Sequence, residues 1–332
     1  MVFESMRVRR RSGGAGRRVA IVAGLIGMIM LGGCSGLSAL NAVAPEGGYQ
    51  VERDLSYGPQ PRQRLDVYRP RGGLAEQPAP RPIIIFWHGG RWSYGEPAQY
   101  RFVASQLTRM GYTAVLPAYR LYPAAQWQAF AQDAAAGLEW VCQRATALGG
   151  AEDSVFVMGH SAGAWLAAMA ALRGTTSCRP AGFIGLAGPY DFLPLEADDL
   201  KQMFGPPAQR ERTQPVNLVS PDAPPMLLVH GLRDDTVKPV NSRSLAASAR
   251  AAGVPVTEHY PRWFGHGSLL TSLLPRFGAL FGVQAALAQF VATYAPGVST
   301  DAPPGQASAQ TRGLEVARDS IVEHRDPGVN QR

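Results

Sequence analysis

One serine in the sequence stands in a pattern that could make it a nucleophile. Ser161 is the centre of Gly159-His160-Ser161-Ala162-Gly163, which matches G-x-S-x-G. The match alone is weak evidence, because a chain with 37 glycines can contain one by chance. Its context is stronger, since a strand-like apolar stretch (155–158) precedes it and a helical stretch (162–172) follows. A tight strand-to-helix turn projects the serine hydroxyl, so we predict a catalytic Ser161 rather than an ordinary glycine-rich turn.

A serine hydroxyl is a weak nucleophile unless a base removes its proton and a carboxylate orients that base. Two later loops supply these groups: Asp234 follows a strand-like apolar stretch, and His266 lies between two glycines. Asp235 is the alternative to Asp234 as the acid. His259 is the alternative base, but it falls inside a predicted strand, where a structural role is more common. The sequence therefore predicts a triad of Ser161, Asp234 and His266.

Hydrolysis through a serine also needs N–H donors for the oxyanion of the tetrahedral intermediate. The residue after the nucleophile, Ala162, supplies one such backbone N–H. A second comes from the HGGRW stretch, residues 88–92, because Gly89 and Gly90 allow the backbone to approach the oxygen closely. An ordinary turn is the alternative for these two glycines, and the sequence leaves open which of them donates.

These residues can act together only if regular elements bring them to one edge of a sheet. The predicted strands comprise an antiparallel opening pair, 50–56 and 64–68, and then 82–87, 113–117, 154–158, 182–186, 225–229 and 254–260. The predicted helices are 100–110, 124–148, 162–172, 241–252 and a terminal helix with its apolar face between 283 and 294. Strands that alternate with helices predict an α/β fold with a mostly parallel sheet, whose carboxyl edge holds the active site.

The charge distribution argues against a nucleic-acid partner. The net charge is +7, but residues 1–33 hold six arginines against Glu4 and contribute +5, which leaves +2 for the rest. A basic face for nucleic acid is therefore not expected. We expect neither a metal nor a cofactor, because four of the six histidines lie in the hydrolase motifs and neither a metal-binding motif nor a phosphate-binding glycine loop is present.

The N-terminus has the pattern of an export signal. A basic start is followed by thirteen apolar residues, 19–31, which as a helix span about 20 Å, less than the roughly 30 Å of a bilayer core. Leu31-Gly32-Gly33-Cys34 resembles the lipobox of bacterial lipoproteins, which implies a lipid on Cys34. A short membrane anchor and a chance cysteine are the alternatives. Ser35 favours the outer membrane, so the expected location is the cell envelope, facing the periplasm.

The whole chain divides into four segments by composition. Residues 1–33 are predicted to be a lipoprotein signal peptide, 34–48 a small-residue linker, 49–295 the catalytic domain and 296–332 a disordered tail. Cys142 and Cys178 could pair in an oxidising compartment, although two unpaired thiols fit the sequence equally well.

From about residue 49 to residue 294 the chain resembles the α/β-hydrolase fold, specifically the carboxylesterase branch related to hormone-sensitive lipase and to bacterial feruloyl-esterase-like enzymes. Beyond the motifs above, the similar segments are YRL at 119–121, GPYDF at 188–192, PMLLVHG at 225–231 and DDTVKP at 234–239. One departure is Arg91, where the lipase group usually carries a third glycine. The resulting HGGxW form is closer to feruloyl-esterase-like and kynurenine-formamidase-like members.

This resemblance implies a central sheet flanked by helices on both faces and a cofactor-free serine carboxylic-ester hydrolase that works through an acyl-enzyme. Trp92, Tyr190 and Phe192 are expected to line the substrate pocket, with core packing as the alternative. Residues 193–219 form the only insertion long enough to cap the site, and its shortness favours a minimal cap and small to medium acyl groups. An amide or formamide hydrolase and a catalytically idle envelope binding protein are the alternatives, and the oligomeric state is left open.

Overall fold

One eight-stranded sheet organises the part of the chain that the computed structural model describes, namely residues 33–71, 80–275 and 280–295. The strands run in the spatial order β1-β2-β4-β3-β5-β6-β7-β8. Their bounds are β1 (Tyr49–Ser56), β2 (Arg64–Pro70), β3 (Arg81–Trp87), β4 (Thr113–Pro117), β5 (Gly150–His160), β6 (Gly182–Leu186), β7 (Met226–Val229) and β8 (Val256–His259).

Six of these strands, from β4 to β8 in the spatial order, pair in parallel. The first two strands form the antiparallel edge, because β1 pairs with β2 and β2 pairs with β4 in antiparallel register. The predicted α/β fold with a mostly parallel sheet and an antiparallel opening pair is therefore confirmed. Parallel strands place their carboxyl ends at one edge of the sheet, where the candidate site is built.

Eight α-helices accompany the sheet in the described residues. They are α1 (Gly33–Val43), α2 (Arg101–Arg109), α3 (Trp127–Cys142), α4 (Ala162–Leu172), α5 (Asp198–Met203), α6 (Pro207–Arg210), α7 (Val240–Ala251) and α8 (Val283–Tyr294). Helix α3 is shorter than the predicted 124–148, because its last turn tightens. There Ala145 N–H donates to Cys142 O, three residues back, and the chain turns into β5.

Apolar cores cover both faces of the sheet, as expected when strand side chains alternate between faces. In β3, Ile83, Ile85 and Trp87 face the first core, which packs against α3 and α4. Ile84 and Phe86 face the second core, which packs against α2 and α8.

The segment 34–48, predicted to be a linker, instead holds all of helix α1 except its first residue, and this helix packs on the second core. Leu37, Leu40 and Ala44 recur at helical spacing on one face, and Leu40 is 1% exposed. Small residues dominate the segment and suggested a linker, but this spacing was the signal of a packed helix.

Of the predicted signal peptide, 1–33, the structure describes only Gly33, the first residue of α1, and the predicted tail 296–332 lies outside the described residues. For Cys34 the structure describes the backbone, in the first turn of α1, and not the side chain. Within the described residues no helix is long and apolar enough to cross a membrane. Cys142 and Cys178, whose pairing the sequence left open, form a disulfide that joins the end of α3 to the segment after α4.

Candidate active site

Ser161 occupies a strained turn between β5 and α4. Its backbone has φ 55° and ψ −124°, a conformation that residues with a side chain rarely adopt. The flanking glycines make this turn possible: a Cβ on Gly159 would lie 2.1 Å from the carbonyl oxygen of Gly163, and one on Gly163 would lie 2.0 Å from that of Trp87. The turn projects the Ser161 side chain from the carboxyl edge of the sheet.

The three side chains predicted to form a triad lie in one hydrogen-bonded line. His266 Nε2 is 2.7 Å from Ser161 Oγ, and His266 Nδ1 is 2.8 Å from Asp234 Oδ2. Asp234 follows β7, and His266 follows β8 after a short loop. The competing residues lie elsewhere: Asp235 pairs with Lys238 at the surface, and His259 Nε2 donates to the carbonyl oxygen of Phe281.

Asp234 is buried and surrounded by hydrogen-bond donors. Besides His266, the backbone N–H groups of Thr236 and Val237 donate to Oδ1, and His230 Nε2 lies 3.2 Å from Oδ2. Burial by itself raises the pKa of Asp234, but the hydrogen bonds from His230 and His266 outweigh burial and hold that pKa well below its usual range. The carboxylate is therefore charged at neutral pH and can hold the His266 Nδ1 proton.

Two further histidines, which were not predicted as site residues, contact the triad residues. His230 is fully buried and accepts a hydrogen bond at Nδ1 from Ser242 Oγ, while its Nε2 lies 2.8 Å from the carbonyl oxygen of Val237 and 3.2 Å from Asp234 Oδ2. His160 Nε2 lies 3.1 Å from the carbonyl oxygen of His266, and burial lowers the pKa of His160 to about 3. A neutral His160 thus donates to the His266 backbone. In the sequence, His160 directly precedes Ser161 and His230 lies four residues before Asp234. These positions were the signals that could have assigned both histidines to the site.

The structure brings the three predicted oxyanion donors near Ser161. Ala162 and Gly90 line the cavity above the serine. Gly89 lies beside the nucleophile, since a Cβ on it would come within 3.2 Å of Ser161 Cβ. Gly90 has a φ of 125°, which favours glycine.

Arg91 stands where a three-glycine motif has its third glycine, and its backbone and contacts show how the turn accommodates it. Its φ is 51°, in the left-handed region that costs a residue with a Cβ about 1–2 kcal/mol. Its guanidinium forms two hydrogen bonds, of 3.0 and 2.9 Å, with Asp199 on α5. The side chain is thereby held toward α5, while the backbone keeps the turn that a glycine would make.

A cavity of about 650 Å³ opens at Ser161 and His266. Trp92 and Phe192 line it as predicted, and Leu195 and Leu200 from the short insertion add apolar surface.

Tyr190, predicted to line the pocket, does not. Its ring is fully buried in the first core, with its centroid 5.9 Å from that of Phe183, and its backbone is held by a hydrogen bond from the Tyr190 N–H to Asn241 Oδ1.

Comparison with known proteins gives one family match and many relatives. The BD-FAE family model matches residues 65–248, more than half of the chain. Among curated proteins, the chain is 29% identical to esterase LipQ of Mycobacterium tuberculosis over 231 residues, which cover 62% of this chain and 54% of LipQ. It is 26% identical to the probable isoprenylcysteine alpha-carbonyl methylesterase ICMEL1 of Arabidopsis thaliana, covering 61% and 48%. The chain thus spans about half the length of the curated relatives it matches.

Solved structures share the fold. Esterase B from Lactobacillus rhamnosis superposes with a TM-score of 0.66 at 20% identity, covering 84% of this chain and 97% of that one. A truncated carbohydrate esterase from gut microbiota gives a TM-score of 0.65 at 20% identity, covering 75% and 99%. At 20% sequence identity, these structural similarities show the fold alone.

Proposed function

The chain belongs to the BD-FAE family and has the α/β-hydrolase fold, and from this premise we propose that it is a serine carboxylic-ester hydrolase. The observation that carries the proposal is the line of hydrogen bonds from Ser161 through His266 to Asp234, with distances of 2.7 and 2.8 Å. The names of the curated relatives, which are esterases and methylesterases, support the same reaction class.

In the proposed reaction Ser161 Oγ attacks the ester carbonyl carbon while His266 Nε2 takes the hydroxyl proton. Asp234 keeps the other imidazole proton on Nδ1 and stabilises the imidazolium that forms. Backbone N–H groups of Ala162 and of Gly89 or Gly90 hold the oxyanion. When the intermediate collapses, the C–O bond breaks and His266 gives its proton to the leaving alcohol. A water molecule, activated by the same imidazole, then hydrolyses the acyl-enzyme and regenerates Ser161.

The substrate class we propose is esters of small to medium carboxylic acids. Trp92, Phe192 and Leu195 provide apolar walls for such groups in a cavity of about 650 Å³. The insertion that borders the cavity contains only short helices, among them α5 and α6, and this supports a minimal cap.

We further propose that the enzyme works in an oxidising cell envelope, attached to a membrane by a lipid on Cys34. Two features support this location: the lipobox-like sequence that ends at Cys34, and the disulfide between Cys142 and Cys178, which is typical of exported proteins.

Hydrolysis of p-nitrophenyl esters with two to twelve acyl carbons by the full chain in detergent tests the reaction. We expect turnover that is highest at short or medium chains and that falls at least about 10³-fold in Ser161→Ala. Ser220→Ala, which changes an exposed serine that does not line the cavity, is the matched control and should behave as wild type. Absence of turnover on every ester by folded wild type, or full turnover by Ser161→Ala, would refute the proposal. Turnover of matched anilides in preference to esters would instead identify an amide hydrolase.

A further inference from the structure

Helix α1, which lies outside the family match, forms part of the wall of the candidate active site. Gly36, Leu37 and Leu40 line the same cavity as Ser161 and His266. Leu40 is 1% exposed and belongs to the second core, whereas Leu37 is only partly buried. The free surface of Leu37 thus faces space that a ligand can occupy.

The cavity has walls from both faces of the sheet. Trp92 and Leu195 belong to the first core or pack in it, and we call the part of the cavity that they border the first arm. Leu40 and Leu270 belong to the second core, and the part that they border with Leu37 is the second arm. Ser161 stands at the carboxyl edge of the sheet, between the two faces. An ester with its carbonyl carbon at Ser161 Oγ has two substituents, one on the acid side and one on the alcohol side, and the cavity offers them two apolar walls.

Specific polar contacts hold α1 against the body of the protein. Asn41 Nδ2 donates to the carbonyl oxygen of Ala98 at 2.9 Å, and Asn41 Oδ1 accepts from the N–H of Phe102 at 3.0 Å. Phe102 is the second residue of α2, whose N-cap residue Tyr100 makes no side-chain cap, so Asn41 supplies that cap from another helix. Arg101 also donates to the carbonyl oxygen of Asn41. The position of Leu37 is therefore fixed by tertiary contacts.

We propose that α1 is a substrate-binding element and that Leu37 determines how large an apolar group the second arm accepts. This inference rests on the proposed ester hydrolysis and deepens it: the preferred substrate carries an apolar substituent on both the acid and the alcohol side. In this proposal each arm receives one of these two groups, so a change at Leu37 affects the length preference on one side of the ester bond and not on the other.

Two series of esters test this inference with the full chain in detergent. One series keeps butyrate and varies the alcohol from methyl to octyl, and the other keeps methyl and varies the acid from acetate to decanoate, with proton release followed at constant pH. In Leu37→Trp we expect kcat/KM for the longest members of one series to fall about tenfold, since each excluded methylene costs about fourfold, and the other series to change less than twofold. Phe192 also borders the first arm, since it lines the cavity and its ring stacks on that of Trp92, so Phe192→Trp should affect the opposite series.

Val43→Trp is the matched control, because Val43 lies on the same helix, is 48% exposed and does not line the cavity. It should leave both series unchanged. Asn41→Ala should loosen α1 and relax the length preference in the same series that Leu37→Trp shortens. Equal effects of Leu37→Trp on both series, or none on either, would overturn the inference.

A measurement without turnover separates this inference from the proposed reaction. In the Ser161→Ala background, binding of unhydrolysed octyl butyrate and of methyl decanoate is measured through intrinsic tryptophan fluorescence. Adding Leu37→Ala, which leaves the number of tryptophans unchanged, should alter the affinity for one of these esters only. If wild type hydrolyses no ester, the proposed reaction fails while the binding result still decides the role of Leu37; unchanged binding of both esters would refute that role.

Discussion

The Asp234 carboxylate is surrounded by N–H groups in the candidate site. It accepts hydrogen bonds from His266, Thr236 and Val237, and His230 lies 3.2 Å away. All of these partners present N–H groups, so the site is built for a charged acceptor and for an imidazole protonated at Nδ1. In the proposed reaction the carboxylate therefore fixes the tautomer of His266.

Asp234→Asn should keep the fold and lose most of the activity. The asparagine has nearly the same shape, but its amide nitrogen cannot accept the Nδ1–H bond, so His266 no longer presents a free Nε2 to Ser161. We expect kcat for p-nitrophenyl butyrate to fall about 10⁴-fold, with an unchanged circular dichroism spectrum. Asp235→Asn is the matched control and should retain activity, because Asp235 is exposed and pairs with Lys238. An Asp234→Asn enzyme within tenfold of wild type would contradict the assigned role.

Two buried imidazoles make the stability of the protein depend on pH. Burial lowers the pKa of His88 to about 4 and that of His160 to about 3, whereas the ordinary value is 6.5. Below about pH 6.5 the unfolded chain therefore takes up protons that the folded chain does not, and the free energy of unfolding falls as pH is lowered toward 4. Each imidazole contributes up to about 1.4 kcal/mol per pH unit in this window.

Urea unfolding at pH 7.5, 6.0 and 5.0 measures this dependence. His88→Gln removes one of the two groups, so its free energy of unfolding should fall less steeply between pH 6.0 and pH 5.0 than that of wild type. Ser220→Ala is the control, because it changes an exposed residue without a titratable group and should leave the slope as it is. Identical slopes for wild type and His88→Gln would show that His88 is not held neutral by burial.

At the scale of elements, strands formed by continuous apolar runs and helices with one apolar face could be predicted from the sequence. The strand β6 was predicted with its observed bounds, 182–186, because apolar runs between turn residues are a local signal. Helix α1 was not predicted, since its small residues obscured the few apolar positions that pack.

His230 and His160 were not assigned to the site because their roles depend on contacts with Asp234 and His266, which only the folded chain brings near. Tyr190 was assigned to the pocket because the sequence does not show which way a turn points a side chain.

The disulfide between Cys142 and Cys178 ties α3 to the segment after α4 across 36 residues of sequence. A cross-link of that span reduces the conformational freedom of the unfolded chain by an amount worth about 3–4 kcal/mol. The double variant Cys142→Ser, Cys178→Ser should therefore lose about 2–4 kcal/mol in urea unfolding. Its kcat should equal that of wild type, because neither cysteine lines the cavity. Equal stability of the two proteins under oxidising conditions would mean that the bridge does not form or does not constrain the chain.

At the scale of the whole molecule, the proposed lipid anchor and the candidate active site converge on one helix. Cys34 lies in the first turn of α1, and Gly36 and Leu37 of the same helix line the cavity. A lipid on Cys34 would therefore hold the cavity close to the membrane surface, where esters with two apolar substituents concentrate.

Metabolic labelling with a fatty-acid analogue tests the anchor. We expect label on the wild-type chain and its recovery with membranes, because several acyl chains on one cysteine suffice for stable anchoring. Cys34→Ala should carry no label. Ser35→Ala, which changes the neighbouring residue, should still be labelled. Equal absence of label in wild type and Cys34→Ala would contradict the anchor while leaving the proposed hydrolysis untouched.

The central claim is that Ser161 is the nucleophile of an acyl-enzyme reaction. The most direct measurement is treatment of the wild-type chain with an alkyl fluorophosphonate, which transfers phosphorus to an activated serine and releases fluoride, followed by mass spectrometry of the intact protein and its peptides. We expect one adduct per chain, on the peptide that contains Ser161, complete loss of esterase activity, and no adduct in Ser161→Ala. An adduct on another residue with Ser161 unmodified, or an unmodified and fully active wild type, would contradict this claim.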